Sequence, residues 1–452
     1  MPYDGEYAQY KTIKRLVENP RIEDLLKNSK IRRREEDTGV EPPPTVDVKP
    51  SGRTPKYVIA IDGSKQETRV ENGFPGAEIG YITIAAVALD VELMKTLDAQ
   101  RPVSPKVFRE TEKASSSDSV FPGCNVVFGE DVAPRISLRR ALFDHLKSER
   151  IWSDGETFLE TYEALLEYKP LSDAPECPYL DNCPDAKAHR YSPSKGAFEC
   201  PCPEKQLLYS TDALRIHERM EERGSNASIF AEIMQVLERL GFINILRNLE
   251  QKNSLSSLKR IAFALDGPLA VFGQPAWLSA AIQKELSRIN RKAKTVNGED
   301  VLIIGIEKTG NFQEHLVALD TNVDGSVGKI ENQTVMLLTN GYIRKNIVFS
   351  DSNRPYGEAT YFGRKFFYRS KAGSLIVGML PFLEDGHKNL DRATPDQFPR
   401  LADALSVLDE LHCSRYPNAL IPLVAAHAEA AIPMNLGAKI LEQLARELMG
   451  TT

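Results

Sequence analysis

A chain of 452 residues with 42% hydrophobic and 27% charged residues carries enough apolar material for a sizeable core, so wholesale disorder is excluded. At roughly 100–200 residues per domain, this length suggests two or three structural units, or one large domain with insertions. The net charge of −6, from 57 Lys and Arg against 63 Asp and Glu, argues against passive DNA coating through an overall positive field. It leaves room for an enzyme that gathers carboxylates around divalent cations, which then neutralise phosphates. No apolar run reaches the roughly 18–20 residues of a membrane span, and residues 1–30 lack the apolar stretch of a secretory signal. Six cysteines are too few for a disulfide scaffold, and four of them cluster, which in an intracellular chain points to metal. The expectation is a soluble cytoplasmic protein.

Residues 1–50 read as an N-terminal arm: a short helical pattern from Tyr10 to Leu26, the basic run KIRRR at 30–34, and the Pro-rich spacer EPPPTVDVKP at 41–50. KIRRR suits either a solvated helix end or a contact with a partner or nucleic acid. The runs YVIAID at 57–62 and GYITIAAVALDV at 80–91 predict two long strands joined by a broad hairpin connection. Residues 100–135, with SSSDS at 115–119, read as loop. Helical periodicity returns at 137–147 and 156–168, and again at about 211–223 and 228–251, with a Pro- and Cys-dense stretch at 170–206 between. A strand at 260–265, a helix at 275–293 and a strand at 301–308 follow. QTVMLLT, YIRKNIVF, KFFYRS and SLIVGMLP make residues 332–385 mostly strand, and two helices close the chain at 398–412 and 419–448. Strands and helices alternating in this way predict an α/β protein, a mixed sheet flanked by helices. Neither a Gly-rich phosphate loop nor a GxGxxG after a strand occurs, so a P-loop ATPase and a Rossmann dehydrogenase are set aside.

Two predicted strands end in Asp-Gly, IAIDG with Asp62 and FALDG with Asp266. A carboxylate at the carboxyl end of a buried strand is held rigidly, and the following Gly lets backbone or ligand approach closely. Either Asp-Gly alone is an ordinary turn signal. If the two strands lie side by side, the carboxylates repel unless protonated or bridged by cations. Paired acids with divalent metals are suited to phosphodiester hydrolysis.

YVIAIDGSKQE resembles the first motif of the NurA nucleases, FALDGPLAVFG their second Asp-Gly motif, and GIEKTG their lysine-bearing strand. RYPNALIPLVAAHAEAA is similar to their closing Tyr-Pro…Ala-His signature, and the four come in the family's order across residues 57 to about 445. The resemblance implies an RNase H-like fold and a divalent-metal active site, usually manganese, that cuts DNA. It further implies a homodimer working with a HerA-type hexameric ATPase that translocates DNA. Carried over by position, Asp62 and Asp266 match the metal-binding aspartates. His427 matches the closing histidine, as metal ligand or proton shuttle, and Lys308 the lysine that orients the scissile phosphate. Without the resemblance, His427 reads as a satisfied histidine among alanines and Lys308 as a solvated strand-end charge.

The family's remaining carboxylate is a helix Glu before the second Asp-Gly, and here the sequence departs, with a longer helix and the loop KNSLSS between. Glu238, in MQVLERL, is the first choice. Glu232 lies about 240° further round the helix, so both cannot face one site; Glu218 is a third candidate, and each is equally readable as a solvated helix charge.

CPYLDNC places Cys177 and Cys183 six apart, and CPC places Cys200 and Cys202 two apart. Four thiolates would close a tetrahedral structural Zn²⁺ site and stabilise an insertion with little core of its own. His189 is a possible substitute ligand, and redox or unligated thiols are the other readings. KFFYRSKAG interleaves aromatics with Lys365, Arg369 and Lys371, which suits either single-strand stacking or a strand with one buried aromatic face. His387, in LPFLEDGHKNLDR, reads as a loop residue with no evident helper.

The combined expectation is a NurA-like deoxyribonuclease, an exonuclease with possible endonuclease activity, whose Asp62, Asp266 and helix Glu hold two Mn²⁺ or Mg²⁺ ions. Its RNase H-like core, at 51–136 and 259–452, is divided by a Cys-rich helical insertion at 137–258. The role would be DNA end resection in repair, or anti-phage defence. The alternatives are a catalytically inactive adaptor of the translocase, and an actin-like nucleotide-binding fold, which would need a second phosphate hairpin.

Overall fold

A computed structural model describes residues 10–29, 43–71, 76–96, 112–170, 177–179, 183, 195–322, 324–348, 350, 354–412, 420–432 and 436–450. KIRRR, His189 and the Tyr-Pro of the closing signature lie outside these residues. Residues 1–42 form one compact unit and 43–452 another. The first holds two helices, α1 (Tyr10–Val17) and α2 (Pro20–Asn28). The Asn19 side chain caps α2 by accepting from Arg21 N at 3.0 Å.

In the larger unit, the chain runs through β1 (Thr45–Val46), β2 (Tyr57–Glu71), β3 (Ala77–Asp90), α3 (Val91–Lys95) and β4 (Glu112–Pro122). Helices α4 (Pro134–Ser148) and α5 (Phe158–Leu166) follow, then the short hairpin β5 (Ala197–Glu199) and β6 (Leu207–Tyr209). Next come α6 (Ala227–Gln251), β7 (Ile261–Asp266), α7 (Leu278–Asn297), β8 (Leu302–Glu307) and α8 (Asn311–Asp320). The rest is β9 (Thr334–Leu337), α9 (Asn340–Asn346), β10 (Gly363–Arg369), β11 (Leu375–Pro381), α10 (Leu401–Glu410), α11 (Ile421–Ala430) and α12 (Leu436–Met449).

Nine of the described strands make one mixed sheet, in the order β1-β9-β10-β11-β8-β7-β2-β3-β4. β2, β7 and β8 run parallel at its centre, and the remaining pairs are antiparallel. The central strands are buried on both faces, which is why IAFALD and LIIGIE are apolar at nearly every position. Val58, Ala60, Ala264 and Ile304 pack towards Leu405 and Leu423 of α10 and α11. Ile61, Phe263, Leu265 and Ile303 face the layer built by α4 to α7. Helix α6 buries residues on almost every side, so its sequence carries little polar stripe to mark one face.

Five local expectations change. The first strand does not end at Asp62: β2 continues to Glu71 and pairs with β3 as far as Glu71↔Ala77, so most of the expected hairpin connection is strand. SSSDS is not loop but the middle of β4, an edge strand paired with β3 from Ile79↔Pro122 to Leu89↔Glu112. Ser119 donates to Ile82 O at 3.1 Å and Asp118 accepts from Thr83 at 2.8 Å. YIRKNIVF begins as helix, because the Thr339 hydroxyl caps α9 by accepting from Tyr342 N at 3.1 Å. TDALRIHERMEER is two 3₁₀ turns broken at Arg215, which sits at φ 61°. The closing stretch is two helices, α11 and α12, rather than one.

The layer containing the cysteine segment is fastened to α4 by a buried ion pair. Arg139 donates through Nε and Nη2 to both oxygens of Asp212, each at 2.7 Å, and through Nη2 to Leu207 O at 3.1 Å. Both side chains are 1% exposed. Asp212→Ala leaves that guanidinium buried and unpaired, and should destabilise the fold by about 3–5 kcal/mol in urea titration. A loss below about 1 kcal/mol would mean the pair is not what holds this layer.

Candidate active site

The parallel pairing of β2 with β7 stops at Ile61↔Leu265, so the next residue of each strand, Asp62 and Asp266, stands at the same level of the sheet. β8 pairs Ile306 with Asp266 and places Lys308 just beyond. On each strand the Asp accepts from the N–H of the glycine after it, Gly63 at 2.9 Å and Gly267 at 3.1 Å. Both carboxylates are thus turned back on their own backbone, Asp266 at the end of β7 and Asp62 within β2, at the point where β7 stops accompanying it. Gly267 has φ 77°, where a side chain would strain the turn.

The remaining groups come from three elements. Nδ1 of His427, on α11, lies 2.8 Å from Asp62 Oδ2. Lys308 Nζ lies 3.0 Å from Asp266 Oδ1. Glu238 comes from α6, and its Oε1 would be 2.6 Å from a Cβ at position 63. The three carboxylates feel one another. Burial, and then the charge of Asp266, raise the Asp62 carboxyl above its ordinary range. Burial pushes Glu238 up to about 8, opposed by Arg239 and reinforced by Asp62 and Asp266.

Geometry therefore separates the three glutamates. Glu238 reaches the aspartates, while Glu232 pairs with Arg219 at 2.5 Å and accepts from Gln274 N at 3.3 Å. Glu218 is engaged by Arg215 at 2.8 Å. Asp62 and Glu238 form a buried floor, whereas the His427 side chain is 62% exposed, so the cluster opens to solvent on that side.

Two further residues shape the site, the Gly63 of the first Asp-Gly and Arg239, which the motifs do not single out. Gly63 is hemmed in by Glu238 Oε1, Met234 Cγ at 2.8 Å and Ile84 Cδ1 at 2.9 Å from any added Cβ. Gly63→Ala should cost about 1–3 kcal/mol in urea titration and displace Glu238. An unchanged midpoint would show that Glu238 has room to retreat. Arg239, 2% exposed, donates to Pro268 O at 3.0 Å and Ala270 O at 3.3 Å. With Nη1 3.5 Å from Glu238 Oε2, it ties the helix carboxylate to the loop that follows Asp266. An arginine in the apolar run VLERLGF was the available signal.

The donor set suits a hard divalent cation, being three carboxylates and one imidazole with two carboxyls driven towards protonation by burial first and by one another's charge as well. Asp62, Asp266, Glu238 and His427 are the residues that would hold it. Among the described residues, no group of three or more His, Cys, Asp or Glu side chains already stands in an arrangement that holds a metal. The carboxylates are turned instead to His427, Lys308 and Arg239.

Other candidates fall elsewhere. Phe366, Phe367 and Tyr368 are fully buried, and Lys365 is buried against Glu307, so KFFYRSKAG is a core strand and not a stacking platform. Arg369 pairs with Asp320, and the Lys371 N–H donates to Asp409 at 2.8 Å. His387 braces its own loop, Nδ1 accepting from Leu383 N at 3.3 Å. Cys177, Cys183, Cys200 and Cys202 are buried together as free thiols. The one fully buried aliphatic side chain in that cluster is Leu208, which contributes roughly 1.5–3 kcal/mol. Ordering the backbone costs about 1–2 kcal/mol for each residue.

A family model described as the NurA domain matches residues 56–432. A crystal structure of the NurA nuclease from Sulfolobus solfataricus is 11% identical, with a TM-score of 0.37, over 98% of this chain and 99% of that one. A second crystal structure of NurA is 13% identical with a TM-score of 0.28, over 97% and 96%. A third, of NurA with manganese, is 11% identical with a TM-score of 0.22, over 97% and 98%. No curated protein matches.

Proposed function

The chain belongs to the NurA domain family, and from that premise we propose that it is a metal-dependent deoxyribonuclease whose site is Asp62, Asp266, Glu238, Lys308 and His427. The observation that carries this reading is the convergence of two aspartates on neighbouring parallel strands and a buried helix glutamate, which repel in the absence of a cation. Asp62, Asp266, Glu238 and His427 would hold Mn²⁺ or Mg²⁺. When bound, such ions lower the pKa of water and offset charge on a phosphodiester.

The chain's own groups do the rest. Lys308, fixed beside Asp266, presents a cation where a scissile phosphate would lie and orients it. His427 is tied through Nδ1 to Asp62, which leaves Nε2 either to ligate the metal or, with the three carboxylates alone as ligands, to hold or deliver a proton at the leaving oxygen. Arg239 keeps the loop after Asp266 in register with Glu238. The antiparallel run β4-β3-β2 continued by parallel β7 and β8 supports an RNase H-like core.

The proposed setting is a cytoplasmic homodimer that receives DNA from a HerA-type ATPase, in end resection during repair or in anti-phage defence. A second reading, a non-cleaving adaptor of that ATPase, is favoured by one observation: the aspartates are already partnered by side chains of the protein itself, Asp266 by Lys308 and Asp62 by His427. Thermal unfolding of metal-free protein with added Mn²⁺ separates the two. The nuclease reading expects a rise in Tm in the wild type that Asp62→Ala and Asp266→Ala both lose. No rise in the wild type would favour the adaptor.

A further inference from the structure

We infer that Cys177, Cys183, Cys200 and Cys202 form a structural zinc site, independent of the candidate active site and of the nuclease reading. All four are between 3% and 5% exposed and none is in a disulfide. They come from two separate places in the chain. Cys183 N–H donates to Tyr179 O at 2.9 Å, which closes a turn within the first pair. Cys200 and Cys202 sit at the bend between β5 and β6, where Cys200 N–H donates to Gln206 O at 2.8 Å and Lys205 N–H to Cys202 O at 3.0 Å. All four side chains fall in one buried cluster, so the two pairs, far apart in the chain, pack together.

Packing alone does not account for this convergence. The cluster contains the four sulfurs, Leu208, and the half-buried Tyr179 and Phe198. Four thiols are small, weak hydrogen-bonding groups, whereas four thiolates satisfy one tetrahedral Zn²⁺ completely. Among the described residues no three of these donors stand at metal spacing as the side chains are turned. Loss of their protons to a cation would bring the sulfurs onto it by side-chain rotation on turns already formed.

The surroundings indicate what the site holds in place. The Arg139 guanidinium lies 4.9 Å from the Tyr179 ring and donates to Leu207 O, on β6, at 3.1 Å. The cysteine turns therefore bear on the same arginine that binds Asp212 and fastens α4. Zinc at this point closes the segment onto the helical layer; it has no open position for a substrate.

The test uses the full chain purified without chelator. Metal analysis should give close to one zinc per chain, retained in Asp62→Ala and Cys124→Ser and lost in Cys202→Ser. Replacement by Co²⁺ in the wild type should give the visible d–d bands of a tetrahedral thiolate site, a readout that needs no variant to fold. Cys202→His, which keeps four donors, should restore metal binding, whereas Cys202→Ser should be cut faster by trypsin within residues 170–206. Zinc below a tenth of an equivalent, together with no cobalt bands, would overturn the site. Zinc that disappears in Asp62→Ala but stays in Cys202→Ser would overturn it equally.

Discussion

Asp62→Ala should lower kcat/KM for DNA cleavage by on the order of a thousand-fold or more, with Asp266→Ala close behind and the double variant little worse than either. Near-equal single and double losses are expected because the two carboxylates act as one unit on the same cation. Asp62 also holds His427 at 2.8 Å, so its removal frees the imidazole as well. The metal-free folds should not suffer in proportion. Asp62 is 3% exposed and crowded by Asp266, and deleting one of two repelling acids relieves the other. Urea titration beside the kinetics checks this. An Asp62→Ala protein that is folded and still cuts within ten-fold of wild type would remove Asp62 from the site.

Glu238→Gln should lose activity and gain stability. The Glu238 carboxyl, raised to about 8 by burial first and by Asp62 and Asp266 as well, starts from an ordinary value of 4.5. Below about pH 4.5 it is protonated in both the folded and unfolded chains. Between the two values the unfolded chain ionises while the folded one resists, so folding weakens as pH rises by up to about 1.4 kcal/mol per unit. Above about 8 that loss is complete. Metal-free wild type should therefore be less stable at pH 9 than at pH 5, and Glu238→Gln should recover roughly 1–3 kcal/mol at pH 9. Cleavage should fall by on the order of a hundred- to a thousand-fold. Urea titrations in EDTA at both pH values measure the first effect. A variant with the wild-type pH slope would show that Glu238 does not carry the strain.

Much of the core was readable because buried parallel strands have to be apolar along their whole length. YVIAID, RIAFAL and VLIIGIEK stand out for that reason, and two of them end in the acids that the sheet then sets side by side. The choice among glutamates was not readable. Helix α6 buries residues all round, so periodicity gives no preferred face, and the deciding contact is a missing side chain at Gly63. β4 was hidden because an edge strand tolerates serine and aspartate wherever its neighbour fixes the pairing. α9 was hidden by a single cap at Thr339, which overrode β-branched composition. Arg239 was missed since nothing in a helix sequence announces that a side chain will clamp a loop some thirty residues away.

The most direct measurement is cleavage of end-labelled linear DNA by the purified chain with Mn²⁺, with Mg²⁺ and with EDTA. Cleavage that requires the metal and shortens the labelled strand is the expected result. An intact label with either metal, repeated with a hexameric ATPase partner and ATP present, would contradict the nuclease reading and leave the chain as an adaptor.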